Sequence, residues 1–527
     1  MKHFQMARFS KKTDKGRRRM PFWLFWIIIS FLYSMIFTGI EIFVAPVASF
    51  HGFCMALGKW AVISFCTSGL LCLISLNRIV FACLFPILAV VSTTVAYFVL
   101  NVGTGLTSGV VELAFSNGFS VWSTLISGRL VFVCVLALLL SGFMAWFRWK
   151  FVFQSPKSIL VCLALGVAIM FLPARFSGRV KRAEAMRLPY SLYYSFAGYL
   201  ENRTSVWTQR TTYNDTPVEK HDNAPDVYFV IGESLRADHL PFNGYERNTM
   251  PLLSMDSAVV SFSDIYSEAF YTHASIPVIL TDNDSLSRQR AYSEQSFITL
   301  FKKAGYRTVW FANQEFSKTY AFFAHEADTI VYCNKLMTVY TFSKYLDTDI
   351  LPLFAGWIKE SPDTVPRLAV FHTIGSHWWY KSHYADTSGN FMPDIDGNDI
   401  GSLSHEQIVN SYDNTILETD RFLAGLIEQI RNRNAILIYL SDHGENMGEQ
   451  GEYLHATGYA PTHHPACLIW YSDSYAESFP EKIRALKANR NKNAATDAMF
   501  HTVIDAALLK TDANNPERSL LHDNPGR

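Results

Sequence analysis

Residues 226–232 read DVYFVIG and residues 435–441 read AILIYLS, two short runs rich in β-branched, aliphatic and aromatic residues. The runs YRTVWFA (306–312) and LAVFHTIG (368–375) have the same character. Predicted helices lie between them, such as 404–433, where apolar residues recur at roughly helical spacing. Near-continuous apolar strands that alternate with helices are typical of a mostly parallel sheet covered on both faces. The sequence therefore predicts an α/β domain.

Polar residues follow three of these predicted strands. Glu233 follows the first, His377 comes just after 368–375, and Asp442 and His443 follow the last. Ligands of such sheets bind beyond the carboxyl ends of the strands, so we expect these side chains to meet there. Carboxylates with an imidazole offer oxygen and nitrogen donors that suit an ion such as Zn²⁺ or Mn²⁺. An acid at a strand end is usually a cap, so the prediction depends on the whole set.

The first third of the chain is predicted to be a membrane domain of about five helices. About 20 helical residues cross a bilayer, and five apolar runs have roughly that length: 21–44, 57–76, 79–100, 130–147 and 158–172. The first run is longer than the apolar region of a cleaved signal peptide. The predicted domains are a transmembrane domain (1–172), an interfacial connector rich in Arg and Tyr (173–223) and a catalytic α/β domain (224–527).

The charges predict the orientation of this membrane domain. Residues 1–20 hold eight basic residues and one acid, whereas 45–58 and 101–128 contain neither Lys nor Arg. The positive-inside rule then places the N-terminus in the cytoplasm, and five crossings place the α/β domain outside. The net charge of zero combines +15 in residues 1–200 with −15 in residues 201–527. An acidic outer domain of this kind predicts no nucleic-acid partner.

Six motifs resemble those of the membrane-anchored phosphoethanolamine transferases of Gram-negative envelopes, which belong to the alkaline phosphatase/sulfatase superfamily. The motifs are VIGESLRADHLPFNGYERNTMP (230–251), YTHASIP (271–277), WFANQ (310–314), HTIGSH (372–377), SYDNTILETD (411–420) and YLSDHGENMGEQGEYLH (439–455). The resemblance covers most of residues 224–475. It implies a multi-pass protein of the inner membrane, with a periplasmic domain of alkaline phosphatase/sulfatase-like fold.

The same resemblance implies a role for each matched residue. One zinc ion, with Mn²⁺ or Mg²⁺ less favoured, is implied to bind Glu233, Thr272, Asp442 and His443. Thr272 is also the implied nucleophile, and His377 and His455 are implied to contact the phosphate and the departing or arriving oxygen. Metal coordination activates a hydroxyl that is otherwise a poor nucleophile, and an imidazole titrates near neutral pH.

The implied reaction transfers phosphoethanolamine from phosphatidylethanolamine to an envelope acceptor through a covalent threonine ester, releasing diacylglycerol. Lipid A or the lipopolysaccharide core is the favoured acceptor, and we expect a monomer. His273, directly after Thr272, departs from the small residue expected there. The outer loop also departs from the family pattern, although Glu112 could pair with the ammonium group of the donor.

Three alternatives remain open from the sequence. A phosphoglycerol transferase of the lipoteichoic-acid synthase type would share the five crossings, the threonine and the metal. A sulfatase would need a Cys or Ser for conversion to formylglycine, and neither Cys333 nor Cys467 has the flanking residues for it. A scaffold with an inactive enzyme fold is the third, although every implied ligand is present. Cys333 and Cys467 could also form one disulfide.

Overall fold

The structure is a computed structural model that divides into two compact units. The first comprises residues 1–43, 56–98 and 121–191, and the second comprises 44–55, 99–120 and 192–527. The described residues are 19–40, 49–102, 106, 111, 128–206, 212–283, 293–314, 318–333, 344, 346–360, 362–387, 389–396, 403–449, 453–455 and 459–523. The residue Glu112, singled out as a possible donor contact, lies outside them.

The apolar runs of the first third form helices. They are α1 (Phe22–Tyr33), α2 (Phe50–Leu76), α3 (Arg78–Val102), α4 (Gly128–Phe151) and α5 (Pro156–Phe176). Four of the helices in the described residues are long and apolar enough to cross a membrane, within α2, α3, α4 and α5. The first run gives only α1 and a π-helical turn to Thr38, an apolar helix shorter than the other four. The predicted count of five crossings is therefore not confirmed, whereas four of them are supported.

Glycines let α2 and α5 pack closely within the first unit. A Cβ atom at Gly69 would lie 2.7 Å from the carbonyl oxygen of Gly166 and from the backbone nitrogen of Met170. Small residues that allow such close approach are common between helices in membranes. Two further helices follow α5 in the predicted connector, α6 (Gly178–Met186) and α7 (Tyr190–Val206). The side chains of Tyr193 and Phe196 on α7 are exposed, and the interfacial role of this segment stays a prediction.

The second unit contains a seven-stranded sheet. Its strands are β1 (Asp226–Gly232), β2 (Val259–Phe262), β3 (Arg307–Ala312), β4 (Thr329–Tyr332), β5 (Arg367–His372), β6 (Ala435–Ser441) and β7 (Cys467–Tyr471). The spatial order is β2-β7-β6-β1-β5-β3-β4, and every neighbouring pair is parallel except those of β7, which runs antiparallel to both β2 and β6. The predicted mostly parallel sheet is confirmed.

Helices cover this sheet on both faces. They are α8 (Thr272–Leu280), α9 (Phe297–Lys303), α10 (Lys318–Ala324), α11 (Ile350–Lys359), α12 (His405–Ile430), α13 (Asp473–Ser478), α14 (Pro480–Asn489) and α15 (Met499–Ala506). Successive strand residues point to opposite faces, so Phe229 packs in one core with Phe297 of α9 and Phe500 of α15. Tyr228 packs in the other core with helices α11 and α12.

Both outer cysteines are free, so the suggested disulfide is not formed. Cys467 begins β7, whereas Cys333 follows β4 at the far edge of the sheet. Strands lie about 4.8 Å apart, and these two strands are five places apart in the sheet. A disulfide joins Cα atoms less than about 7 Å apart, which this topology does not allow.

Candidate active site

The ends of β1 and β6 place two carboxylates and an imidazole together. These strands are parallel neighbours, and Gly232 pairs with Ser441. The residues that follow, Glu233 and the Asp442–His443 pair, are therefore adjacent and fully buried. His443 Nε2 lies 3.3 Å from Glu233 Oε1 and 3.4 Å from Asp442 Oδ2. The structure thus brings together three of the residues that the sequence singled out as ligands.

The polar atoms of this cluster fit a metal ion. His443 Nδ1 lies 2.7 Å from the carbonyl oxygen of Gly444, which as an acceptor favours a proton on Nδ1 and leaves the Nε2 lone pair facing the carboxylates. Asp442 Oδ1 accepts from two backbone N–H groups, whereas Asp442 Oδ2 and His443 Nε2 are buried without a hydrogen-bond partner among the described residues. Ligand atoms of Glu233, Asp442 and His443 lie within 4.8 Å of one another. Buried polar atoms that lack partners suit a cation in this position.

Thr272 lies against the same cluster. It is the first residue of α8, and its hydroxyl Oγ1 donates a hydrogen bond to Glu233 Oε2 at 2.9 Å. The N-terminus of a helix carries a partial positive charge and N–H groups that lack helical acceptors, and both favour negative charge. The hydroxyl is half-buried, so it remains accessible on one side. The geometry suits a nucleophile that attacks an anionic phosphate group.

His377 and His455 lie beside the cluster rather than in it. The ring centroid of His455 lies 4.5 Å from that of His443 and 5.8 Å from that of His377. Glu233, His377 and His455 form a second group whose ligand atoms are close enough to hold a metal. Both groups share Glu233 and together contain five of the implied site residues, and the sixth, Thr272, contacts them through its hydrogen bond to Glu233.

Burial and charge shift the pKa values of the cluster in different directions. Burial raises the pKa of Asp442 to about 7, and the charge of Glu233 adds to that increase. Burial also opposes ionisation of Glu233, but the close contact and charge of His443 outweigh it and lower the pKa of Glu233. Burial disfavours the charged form of His443 as well, yet the two carboxylates raise its pKa to about 10. The negative charge of this cluster attracts a cation.

The two flanking histidines have opposite shifts. Burial lowers the pKa of His377, even though the charge of Glu233 opposes this. Burial acts in the same direction on His455, but a contact of 3.3 Å from its Nδ1 to Glu445 Oε2 raises its pKa overall. At neutral pH, His377 is therefore mainly neutral and His455 retains a proton more readily. His377 can therefore accept a proton or donate a hydrogen bond from its neutral N–H group, whereas His455 can act as an acid.

His273 and four other residues, Trp378, Trp379, His463 and His464, lie outside the two metal-competent groups. His273 is exposed on α8, and Trp378 and Trp379 are half-buried against the core beneath them. The ring of His463 stacks on Tyr266 at 5.2 Å between centroids. His464 forms an edge contact with the same tyrosine, at 6.0 Å. These contacts give no direct reason to assign a catalytic role to any of the five.

Two further residues support the site: Gln314 was not identified from the sequence, and the sequence leaves Glu445 open between a supporting and a solvated acid. Gln314 Nε2 donates to Glu233 Oε2 at 3.1 Å, and its place at the end of the WFANQ motif was the available signal. Glu445, which could have been a solvated acid, is fully buried against His455. Glu449, which follows β6, instead forms an ion pair with Arg236, which follows β1. A hydrogen bond between side chains that are distant along the chain, such as that from Gln314 to Glu233, leaves no recognisable pattern in the sequence.

Comparisons with known proteins find a family model and relatives that match the α/β domain. The family model described as Sulfatase matches residues 225–508, more than half of the chain. The Kdo(2)-lipid A phosphoethanolamine 7''-transferase of Escherichia coli (strain K12) is 31% identical over 266 residues, which are 49% of this chain and 46% of that protein. The chain spans about half the length of the first curated relatives that it matches.

Two solved structures share the fold. The C-terminal periplasmic domain of EptC from Escherichia coli, in complex with zinc, is 24% identical with a TM-score of 0.54, over 59% of this chain and 90% of that chain. The integral membrane lipooligosaccharide phosphoethanolamine transferase A of Neisseria meningitidis is 21% identical with a TM-score of 0.54, over 94% of this chain and 98% of that chain. Apolar helices followed by an α/β domain are therefore an architecture that occurs in a solved structure.

Proposed function

The chain belongs to the sulfatase family, and from this membership and the site geometry we propose that it is a phosphoethanolamine transferase. The donor is phosphatidylethanolamine, the product of the first step is diacylglycerol, and Thr272 carries the phosphoethanolamine group between donor and acceptor. The observation that carries the proposal is the Thr272 hydroxyl, 2.9 Å from Glu233 in a buried cluster that suits a metal. An enzyme of this family that cleaves sulfate esters would carry formylglycine, derived from Cys or Ser, at the position where this chain has Thr272.

The proposed zinc ligands are Glu233, Thr272, Asp442 and His443, with Mn²⁺ or Mg²⁺ less favoured. Three oxygen donors and one nitrogen donor suit a four-coordinate zinc ion. Asp442 Oδ2 and His443 Nε2 support this assignment because they lack other partners among the described residues. When bound, a zinc ion supplies charge that stabilises the threonine alkoxide and offsets the charge of the phosphate.

The first step starts from Thr272 Oγ1 after its proton has passed to solvent, forms a bond between this oxygen and phosphorus, and breaks the bond from phosphorus to the diacylglycerol oxygen. The second step releases Oγ1 in the same deprotonated form. His455, whose pKa is raised, donates a proton to the departing oxygen. His377, whose pKa is lowered, is neutral and donates a hydrogen bond from its N–H group to a phosphate oxygen. The N-terminus of α8 favours the negative charge that the phosphate brings.

The second step reverses these roles. His455, now neutral, accepts the proton of an acceptor hydroxyl, whose oxygen attacks phosphorus and releases Thr272. Where the acceptor is already an ionised phosphate, this proton transfer is not required. We favour lipid A or the lipopolysaccharide core as acceptor, and the named substrate of the Escherichia coli relative supports this choice. Mass spectrometry of lipid A and core from cells with and without the protein tests it.

We further propose that the protein is a monomer of the inner membrane with a cytoplasmic N-terminus and a periplasmic catalytic domain. The asymmetric distribution of Lys and Arg supports this orientation, which requires the shorter apolar helix Phe22–Thr38 to cross the membrane in addition to the four longer helices. Accessibility of a single introduced cysteine to a membrane-impermeant reagent tests it. Labelling at Met255, an exposed position of the catalytic domain, is expected in intact spheroplasts. Labelling there only after the membrane is disrupted would contradict the orientation.

Substitution of the nucleophile tests the proposed function. In membranes that contain the full chain and headgroup-labelled phosphatidylethanolamine, Thr272→Ala is expected to abolish diacylglycerol release and transfer. Ser275→Ala is the matched control, since that hydroxyl lies on the same helix and donates to the backbone of Tyr271. Wild-type activity in Thr272→Ala would contradict the nucleophile. Labelled phosphatidylglycerol should not be consumed, and its turnover instead would indicate a phosphoglycerol transferase.

A further inference from the structure

We propose that Asp347 is a positioning residue that holds the turn of residues 373–377 and thereby places His377 in the site. This inference rests on the function proposed for His377. Asp347 lies in a short 3-10 turn before α11, 30 residues before the histidine that it would position. Among the described residues, its carboxylate makes no hydrogen bond to any of the six implied site residues, so it would act only through the backbone.

The carboxylate of Asp347 binds the turn at two consecutive residues. Its Oδ1 accepts from the backbone N–H of Ile374 at 3.0 Å, and its Oδ2 accepts from that of Gly375 at 2.9 Å. Oδ1 also accepts from Asn313 Nδ2 at 2.8 Å, at the end of β3. The side chain is only 3% exposed, so water does not compete for these bonds. The turn is therefore fixed to two other segments of the domain.

The opposite side of the turn packs against the backbone of Glu233, a residue of the metal-competent cluster. Gly375 has a φ of +48°, and a Cβ atom there would lie 2.8 Å from the carbonyl oxygen of Glu233. The backbone N–H of Ser376 donates to that same oxygen at 2.9 Å. His377 is the next residue, and its N–H donates to the carbonyl oxygen of Ile374 at 3.2 Å. The turn is thus held between Asp347 and Glu233, and a displacement on one side would move His377.

The chemistry of Asp347 favours a role beyond packing. Burial raises its pKa to about 6 in spite of the three donors, and the charge of Glu418 adds to the increase. The group is therefore mainly ionised at neutral pH although its burial opposes the charge. Only a carboxylate presents two acceptor oxygens and no donor when ionised. The two adjacent backbone N–H groups of the turn and the amide of Asn313 all donate, so they need acceptor oxygens on both sides of the group. An uncharged side chain of this size does not offer two such oxygens.

Asp347→Asn removes this pattern with little change in shape. An amide has one acceptor oxygen, so its NH₂ group would face one of the N–H groups of the turn. Asp349→Asn is the matched control, because Asp349 lies two residues away, is exposed and caps only the N–H of Leu346. Both variants are made in the full chain, purified in detergent and assayed for diacylglycerol release from headgroup-labelled phosphatidylethanolamine.

We expect Asp347→Asn to lower kcat about ten- to hundredfold, since small displacements of a catalytic group have effects of that size. The KM for the donor should change little, and any change in the melting temperature should be too small to account for the loss of kcat. Hydrogen–deuterium exchange in the peptide that contains residues 373–377 should become faster. The control should match the wild type in all four measurements. A wild-type kcat in Asp347→Asn, or a kcat that falls only in proportion to the folded fraction, would overturn the inference.

A double-mutant cycle tests whether Asp347 acts through His377. In a His377→Gln background, Asp347→Asn should cause little further loss, because the group that it positions has gone. An equal fold-loss in both backgrounds would show a general structural role and contradict the inference. If Asp347→Asn does not fold, Asn313→Ala replaces it, since this variant removes one donor from the same carboxylate. Its effect on kcat should then be smaller but equally dependent on His377, and a full loss without His377 would overturn the inference.

The same experiment separates the inference from the proposed function. If the wild type releases no diacylglycerol, the proposed function fails, while the exchange measurement still reports on the turn. If the wild type is active and the exchange of residues 373–377 is unchanged in Asp347→Asn, the function stands and the inference fails.

Discussion

Two kinds of strand end supply the site, and they differ in how they hold their residues. After β1 and β6, the functional residues come at once: Glu233 follows Gly232, and Asp442 follows Ser441. After β5, which ends at His372, the proposed catalytic imidazole of His377 comes five residues later. The first kind is fixed by the register of the sheet. The second depends on a turn, and therefore on the residues that hold that turn.

The difference shows where precision originates in this domain. A parallel register places Glu233 and Asp442 with no help from other segments, and both side chains are fully buried. The turn after β5 needs Asp347 and the backbone of Glu233, and its histidine stays half-buried. We expect substitutions at the β1 and β6 ends to remove metal binding. Substitutions around the β5 turn should instead change rates while metal binding is kept.

The largest effect is expected at the β6 end. Asp442→Asn removes one charged donor from the proposed zinc site and should lower transfer by about a thousandfold, as the loss of a main electrostatic group does in other enzymes. Elemental analysis of the purified protein should show less zinc. Asp420→Asn, a buried acid on α12 remote from the strand ends, should keep its zinc. Full zinc content in Asp442→Asn would contradict the proposal that the β1 and β6 ends bind the metal while the β5 turn affects only the rate.

The anchor of the β5 turn should have a measurable effect on stability. The pKa of Asp347 is raised from 3.8 to about 6 by burial, so the folded state binds this proton more tightly than the unfolded state. Stability from this group is present below pH 3.8 and is lost as the pH rises to about 6, by up to about 3 kcal/mol. The melting temperature of Asp347→Asn relative to the wild type should therefore increase between pH 4 and 7. A constant difference would contradict the buried charge.

Gly375→Ala should disturb the same turn from its other side. The φ of +48° and the 2.8 Å approach to the carbonyl oxygen of Glu233 leave little room for a Cβ atom. Strain of this kind costs about 1–3 kcal/mol. We expect a lower melting temperature and a lower kcat with zinc retained. The control is Gly356→Ala in α11, where a Cβ atom would meet nothing within 4 Å. Loss of zinc in Gly375→Ala would mean that the two strand ends are not independent.

Glu445→Gln should have the smallest effect and should be visible in the pH profile. The contact with Glu445 raises the pKa of His455, so its removal lowers that pKa. His455 must hold a proton to assist the departing oxygen, so the alkaline limb of kcat should move to lower pH. Glu449→Gln, which loses only the ion pair with Arg236, should leave the limb in place. An unshifted limb in Glu445→Gln would assign the acid to another group.

The same contrast explains what could be predicted from the sequence. Glu233, Asp442 and His443 were found because a ligand directly after an apolar strand needs no knowledge of the turn. Thr272 and His455 lie on a helix terminus and a loop, and only the family resemblance identified them. Asp347 has partners 27 and 28 residues away along the chain, with no motif around it. Its role became visible only when the turn was seen beside it.

The fold followed the same division. The runs at β1, β3 and β6 were predicted within one residue, because central parallel strands are continuously apolar. The run at 368–375 was predicted too long, since Thr373 already bonds back to Ile231 in the turn. The edge strands β2 and β4 have only four residues each, and the antiparallel β7 breaks the strand–helix alternation. The first apolar run, 21–44, is helical from Phe22 to Thr38, and its last four residues lie outside the described part of the chain.

The central claim is that Thr272 carries phosphoethanolamine during transfer. The most direct measurement is peptide mass spectrometry of the full-length protein, quenched with acid after a brief incubation with headgroup-labelled phosphatidylethanolamine. We predict the label on the peptide that contains Thr272, a fragment series that locates it on that residue, and its loss when acceptor is added. Label on another residue, or steady transfer to the acceptor while Thr272 stays unmodified at every time point, would contradict the account.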